Sequence, residues 1–113
     1  MTINIHPLSA LKDPSLLKTD ALINGQWVTG SSRFAVHDPA TGAKLADVAN
    51  MGPKDAELAI AAANAAWPAW RTKTGKERSI ILRKWFDLLM ANQDDLGRMM
   101  TAEQGKPLAE AKG

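Results

Sequence analysis

The sequence of 113 residues contains no cysteine. Without cysteine the chain can form neither a disulfide nor a thiolate metal site, and it offers no thiolate nucleophile. This absence fits a protein of a reducing compartment, and we therefore expect a cytoplasmic location.

Long apolar runs are also lacking. The longest uncharged apolar stretch covers residues 58–70 and is interrupted by Pro68, whereas a membrane-spanning helix needs about 20 apolar residues. Residues 1–11 carry no cationic start followed by an apolar run, so we expect no secretory signal. These absences predict a soluble chain without a membrane partner.

The charge of the chain is close to balanced. A net charge of +2 gives little attraction to nucleic acid, and no nucleic-acid partner is expected. One basic run stands out, and its pattern is typical of the solvated start of a helix and its approach. This run comprises Arg71, Lys73, Lys76, Arg78, Arg83 and Lys84.

Motifs that carry chemistry are absent. The glycines are scattered, so neither a dinucleotide fingerprint nor a phosphate loop occurs, and no serine lies in a G-x-S-x-G elbow. His6 and His37 are far apart, and we expect both to face solvent rather than bind a metal. Glu103 and Lys106 flank Gly105 and are interpreted as a solvated helix end. The sequence thus predicts no catalytic, cofactor-binding or metal-ligating residue within this chain.

The first half of the chain predicts an arm and short strands. Residues 1–20 contain two prolines and read as an irregular arm, with four leucines as apolar anchors. Residues 21–50 predict a β-hairpin or meander, because Asn24-Gly25 is a strong hairpin signal. A second turn is predicted over residues 38–42, where proline and glycine suit a tight turn.

Residues 51–113 predict three to four helices. Pro53 suits the first turn of a helix that Pro68 would bend or end. Thr74 and Glu77 form a capping box for a second helix, and Asn92 can cap a third. The third helix is expected to end at Gly105, with Pro107 beginning a fourth. The apolar face predicted for the first helix consists of Ala56, Ala59, Ile60, Ala63, Trp67 and Trp70, and Trp85 is predicted to pack inside the second.

Five segments are informative through their order and spacing. They are Ile23 to Trp27, Asp38-Pro39-Ala40-Thr41-Gly42, Trp67-Pro68-Ala69-Trp70-Arg71, Glu77-Arg78 and Glu103-Gln104-Gly105-Lys106-Pro107-Leu108. Together they resemble the NAD(P)-dependent aldehyde dehydrogenases, most closely the bacterial succinate-semialdehyde dehydrogenases, and the similarity extends over nearly the whole chain from Leu11 onward. The fold class expected from pattern and resemblance is α/β, and α+β within this segment: a short amino-terminal β-meander followed by three to four helices.

The resemblance also implies an activity, the oxidation of succinate semialdehyde to succinate with NADP or NAD. In that family a cysteine forms a thiohemiacetal, hydride passes to the nicotinamide, and a glutamate activates the hydrolytic water. An asparagine side chain and a backbone N–H hold the oxyanion. All of these residues lie in family segments beyond Gly113, so no catalytic or cofactor-binding residue is transferred to this chain. We expect the chain alone neither to oxidise the aldehyde nor to bind NADP usefully.

Two interpretations of function remain open at this point. In the first, the chain is the amino-terminal part of an aldehyde dehydrogenase, with 51–113 belonging to its cofactor-binding domain. Its partner is then the remainder of the parent enzyme, and the whole protein is expected to be a homo-oligomer. In the second, the chain is a stand-alone, non-catalytic helical interaction module derived from such an enzyme. Another aldehyde as substrate also remains open.

Overall fold

A computed structural model describes residues 6–113 of the chain. Two 3₁₀ helices, Pro7–Ala10 and Pro14–Leu16, come first along the described chain. The strands are β1 (Ala21–Ile23), β2 (Gln26–Val28), β3 (Ser32–His37) and β4 (Lys44–Asn50). The helices are α1 (Pro53–Thr72), α2 (Gly75–Ala91), α3 (Gln93–Gln104) and α4 (Leu108–Ala111). None of these helices is both long and apolar enough to cross a membrane.

The predicted Asn-Gly hairpin is confirmed. Asn24 and Gly25 adopt φ angles of 52° and 72°, the left-handed values that a two-residue hairpin turn requires. The antiparallel register places Leu22 opposite Trp27. Local turn chemistry therefore sets the register of β1 and β2.

The predicted turn over residues 38–42 is also confirmed, and it joins β3 to β4. Asp38 is buried, and its Oδ1 accepts a hydrogen bond from the Ala40 N–H at 2.8 Å. The carbonyl of Asp38 accepts a second one from the Gly42 N–H at 2.8 Å. Gly42 has a φ of 75°, which a glycine adopts without steric cost.

Of the β-hairpin or meander expected over residues 21–50, the meander is corrected. The described strands form two separate two-stranded sheets, β1 with β2 and β3 with β4. Between them Gly30 takes a φ of 71°, and a Cβ built there would lie only 2.9 Å from the Met51 sulfur. The chain thus turns sharply after the three-residue β2, which leaves β2 and β3 unpaired with each other.

Helix starts follow the sequence signals closely. In the first turn of α1, the Asp55 carboxylate accepts a hydrogen bond at 2.9 Å from the N–H of Gly52, the N-cap residue. The capping box of α2 is complete, with Thr74 Oγ1 accepting from the Glu77 N–H at 3.2 Å and Glu77 Oε2 accepting from the Thr74 N–H at 2.8 Å. Asn92 occupies the N-cap position of α3, but its side chain makes no capping hydrogen bond.

The sequence predicts that Pro68 bends or ends α1, and the second of these outcomes is wrong, because the helix continues to Thr72. A proline near the carboxyl end removes only one helical hydrogen bond. The inward face is also rotated from the predicted one, since Ala59 and Ala62 are half-buried while Ile60 and Trp67 are exposed.

The described chain divides into two compact units. One consists of 6–19, 34–48 and 92–113, and its core holds Leu11 and Ala102, with exposures of 8% and 5%. Gly105 caps the carboxyl end of α3, and its φ of 79° confirms the predicted stop. α4 follows Pro107 as expected.

The second unit consists of 20–33 and 49–91. In it α1 contacts β1, and none of its residues is fully buried. The predicted burial of three tryptophans holds only in part, since Trp70 is half-buried whereas Trp67 and Trp85 are exposed. The error arises because amphipathic spacing shows which side of a helix is apolar, not whether a described element covers it.

Replacement of Thr74 tests the capping box. Thr74→Ala removes the oxygen that accepts the Glu77 N–H and is expected to cost about 1 kcal/mol of helix stability. Urea unfolding followed by far-ultraviolet circular dichroism measures the loss. Ser79→Ala, at an exposed position of the same helix, is the matched control and should leave the midpoint nearly unchanged. Equal midpoints for Thr74→Ala and the wild type would mean that the cap does not stabilise α2.

Candidate functional site

A buried carboxylate holds the amino-terminal arm onto α3. Asp95 is 4% exposed, and its two oxygens each accept a backbone hydrogen bond at 2.9 Å, from the N–H groups of Lys12 and Asp13. The side chain of Asp13 in turn accepts from the Ser15 N–H at 3.1 Å and caps the second 3₁₀ helix. Hydrogen bonds to the Asp95 and Asp13 carboxylates therefore hold the arm in place.

Charges around Asp95 extend this connection to α4. The Asp94 carboxylate lies 2.9 Å from Lys112 Nζ and 3.6 Å from Lys12 Nζ. Gln93 Nε2 donates to the Lys112 carbonyl at 2.6 Å, and Arg98 Nη1 is 3.5 Å from Asp95 Oδ1. The start of α3 thus joins the arm on one side to the end of α4 on the other.

The contacts of the two carboxylates lower their pKa values. The pKa of Asp95 falls below its ordinary value of 3.8 chiefly because the backbone N–H groups of Lys12 and Asp13 stabilise the charged form. The pKa of Asp94 is lowered chiefly by the hydrogen bond and the charge of Lys112. Both groups are therefore anionic at neutral pH, and the arm contacts depend on that charge.

An open cleft of about 370 Å³ lies beside this arrangement in the same unit. Arg98 and Thr101, one turn apart on α3, face it together with Asp38 from the β3–β4 turn. Thr101 Oγ1 is buried and has no hydrogen-bond partner among the described residues. The cleft offers a cation, a hydroxyl and a carboxylate, but no pairing of a nucleophile with a general base.

The residues singled out by sequence are not brought together. His6 and His37 are both exposed, as expected. His6 also has a structural contact, because its Nδ1 accepts from the Leu8 N–H at 3.2 Å. Glu103 is exposed, and Lys106 is half-buried. Across residues 6–113, no group of three or more histidine, aspartate or glutamate side chains is placed to hold a metal.

A nicotinamide dinucleotide, which the resemblance implies, does not fit the helix starts of this chain. Its pyrophosphate normally binds at a helix amino terminus that follows a glycine-rich turn. Here the first turns of α1, α2 and α3 carry acidic side chains, including Asp55, Glu77 and Asp95, and these accept backbone N–H groups. A negative pyrophosphate would be repelled at each of them, so no reaction step through the cofactor is assigned to these residues.

Comparison with known proteins shows the family to which the chain belongs. Residues 27–113 match the aldehyde dehydrogenase family. The chain belongs to that family. The succinate-semialdehyde dehydrogenase [NADP(+)] of Escherichia coli (strain K12) is 54% identical over 105 residues, which cover 91% of this chain and 22% of that protein. The 3-sulfolactaldehyde dehydrogenase of Pseudomonas putida shows the same identity and coverage.

A solved structure agrees with the sequence comparison. The crystal structure of succinate-semialdehyde dehydrogenase from Burkholderia pseudomallei matches with a TM-score of 0.89 at 55% identity, over 93% of this chain and 22% of that one. The aldehyde dehydrogenase resemblance and the α/β fold class are therefore confirmed. The chain spans 22% of the length of the curated relatives named here.

The Asp95 contact was not found from the sequence. Acidic residues in the first turn of a helix, such as Asp94 and Asp95, generally interact favourably with the helix dipole. A sequence signal does exist in retrospect, since two adjacent acids follow Asn92 while Lys12 stands in a proline-bounded arm. Nothing in one sequence, however, shows which distant backbone the carboxylate meets.

Replacement of Asp95 tests the arm contact. Asp95→Asn removes the negative charge and one acceptor, so the N–H groups of Lys12 and Asp13 should exchange with solvent at least about tenfold faster. Amide hydrogen exchange followed by NMR measures this. Asp94→Asn is the matched control, because Asp94 pairs with lysine side chains and not with the arm backbone. Unchanged exchange in Asp95→Asn would rule out the carboxylate as the holding group.

The same contact predicts that the stabilising effect of Asp95 depends on pH in acidic solution. Because the pKa of Asp95 is lowered on folding, its stabilising effect is complete above the ordinary value of 3.8 and is lost as pH falls below it through the folded pKa. The difference in urea midpoint between wild type and Asp95→Asn should be constant above about pH 5 and shrink in more acidic solution. A difference that persists undiminished at about pH 2 would contradict this assignment.

Proposed function

We propose that this chain forms the amino-terminal part of an NAD(P)-dependent aldehyde dehydrogenase that oxidises succinate semialdehyde to succinate. The observation that carries the proposal is the 54% identity to the Escherichia coli enzyme over 105 residues. The structural match to the Burkholderia pseudomallei enzyme supports it over 93% of the chain. In this proposal the chain's own role is to fold and to position the rest of the enzyme.

A second substrate has comparable support. The Pseudomonas putida relative, named for 3-sulfolactaldehyde, is equally similar at 54% identity. Both aldehydes are short and carry an anionic group, a carboxylate in one and a sulfonate in the other. We therefore propose a small anionic aldehyde as the substrate class, with succinate semialdehyde as the first candidate and 3-sulfolactaldehyde as the second.

The proposal also assigns a place in the enzyme to each segment of the chain. The arm predicted over residues 1–20 is described from residue 6 onward, since residues 1–5 lie outside the described residues. Residues 21–50 form the hairpins, and 51–113 the opening of the cofactor-binding domain. NADP is the first cofactor to test because the Escherichia coli relative is named for it, and NAD is the second. A cytoplasmic homo-oligomer remains the expected form of the whole enzyme, with no nucleic-acid or membrane partner.

A chimera tests this function. This chain replaces the matching segment of the Escherichia coli enzyme in one continuous polypeptide, and reduction of NADP or NAD is followed by absorbance. The chimera should oxidise succinate semialdehyde, while the 113-residue chain alone should show no turnover above a heat-treated sample, since it has no cysteine.

Each result separates the alternatives. A folded chimera that oxidises 3-sulfolactaldehyde but not succinate semialdehyde would favour the second substrate. A folded chimera without aldehyde activity would favour a stand-alone interaction module. Turnover by the isolated chain would contradict the proposal that the catalytic residues lie outside it.

A further inference from the structure

The turn between β1 and β2 holds the one asparagine of the sequence that is followed by glycine. Asn4, Asn50, Asn64 and Asn92 all precede residues that have a side chain. Asparagine is thermolabile, because its amide carbon can be attacked by the backbone nitrogen of the next residue. A following glycine places no Cβ beside that nitrogen. Asn24 is therefore the asparagine of this chain that is most open to attack by its own backbone.

The two reacting groups of the turn are not held by other hydrogen bonds. Among residues 6–113, neither the side-chain amide of Asn24 nor the N–H of Gly25 takes part in one. Apart from its chain neighbours, no described atom lies within 4 Å of a Cβ built on Gly25. Because the reacting atoms belong to neighbouring residues, the attack needs neither a binding partner nor a cavity.

The closed hairpin keeps these two groups apart. Asn24 has a φ of 52°, which is the left-handed conformation, with ψ at about +30 to +60°. This ψ places the Gly25 nitrogen opposite the Asn24 Cβ across the Cα–C bond, whereas a five-membered ring needs both atoms on the same side. Ring closure thus requires rotation about that bond, which breaks the turn and separates Ile23 from Gln26.

We propose that Asn24 is a spontaneous modification site that is controlled by opening of the β1–β2 hairpin. In the open hairpin the Gly25 nitrogen attacks Asn24 Cγ and loses its proton to solvent base, while the side-chain nitrogen takes up a proton and leaves as ammonia. The product is a cyclic imide. Water then opens the ring at either carbonyl, which gives aspartate or isoaspartate. This modification goes beyond the proposed function and does not depend on it.

The two products affect the hairpin differently. Aspartate before glycine also suits this turn, so the strands should form again. Isoaspartate carries the main chain through its side chain and lengthens it by one methylene, which a two-residue turn cannot absorb without a change of register. The pairing of Leu22 with Trp27 is then lost, and with it the contact of β1 with α1.

Mass spectrometry of the full 113-residue chain tests the modification. The chain is incubated in mildly alkaline buffer and digested in acid, and electron-transfer fragmentation distinguishes isoaspartate from aspartate. Asn24 should convert roughly tenfold faster than Asn50 or Asn64, because only Asn24 precedes a glycine. Isoaspartate should be among the products, since direct hydrolysis of the amide by water gives aspartate alone. Equal rates at the three asparagines, or aspartate as the sole product, would overturn the proposal.

A weakened hairpin tests the control by opening. Leu22→Ala removes the cross-strand pair with Trp27 and should speed the modification about 1.4- to 5-fold, the range that corresponds to loss of one such pair. Hydrogen exchange of the Ile23 and Gln26 amides, measured by NMR, should accelerate by the same factor. Phe34→Ala is the matched control, because it removes a comparably exposed apolar side chain from the other sheet.

Each outcome of this comparison decides the proposal. Equal acceleration of amide exchange and modification in Leu22→Ala, with both rates unchanged in Phe34→Ala, supports it. A modification rate that stays constant while amide exchange accelerates would show that the closed turn reacts, and control by opening would be rejected. The same rejection follows if Leu22→Ala changes neither rate or if Phe34→Ala acts equally. An active chimera is compatible with all of these results, so the proposed function is tested separately.

Discussion

The Asp95 carboxylate joins parts of the chain that are 82 and 83 residues apart in sequence. It satisfies two backbone N–H groups of an arm that has little regular structure of its own. Because two N–H groups stabilise the charged form of the Asp95 carboxylate, its hydrogen bonds to the arm are strong at neutral pH. Leu11, directly before these N–H groups, is then buried beside it, so the small core of this unit depends on the same contact.

The second unit, residues 20–33 and 49–91, has no buried carboxylate that links distant parts of its sequence. Its helices are well capped at their starts, but its apolar side chains remain mostly exposed. Alanines on the inner face of α1 contribute little buried area per residue, so one hairpin against one helix cannot form a thick core. Local order here comes from caps and turns, whereas tertiary stability requires a further surface.

The features that the sequence predicted correctly are set by neighbouring residues. Asn24-Gly25, the Thr74–Glu77 box and Gly105 each act within one turn of backbone, so their chemistry is readable from a short window. The predictions that failed concern contacts between residues that are far apart in sequence. The rotation of α1, the exposure of Trp85 and the partner of Asp95 depend on elements far away in sequence. The absence of catalytic residues was an expectation that no observation here tests, and it remains one.

The acidic residues at the helix starts connect this architecture to the family's chemistry. A helix amino terminus can either bind an anionic ligand or satisfy its own N–H groups internally. Asp55 and Glu77 accept the N–H groups at the starts of α1 and α2, whereas Asp95 at the start of α3 accepts N–H groups of the arm. The negative charge of all three makes anion binding at these helix starts unfavourable. A dinucleotide pyrophosphate therefore finds no favourable helix start among α1, α2 and α3.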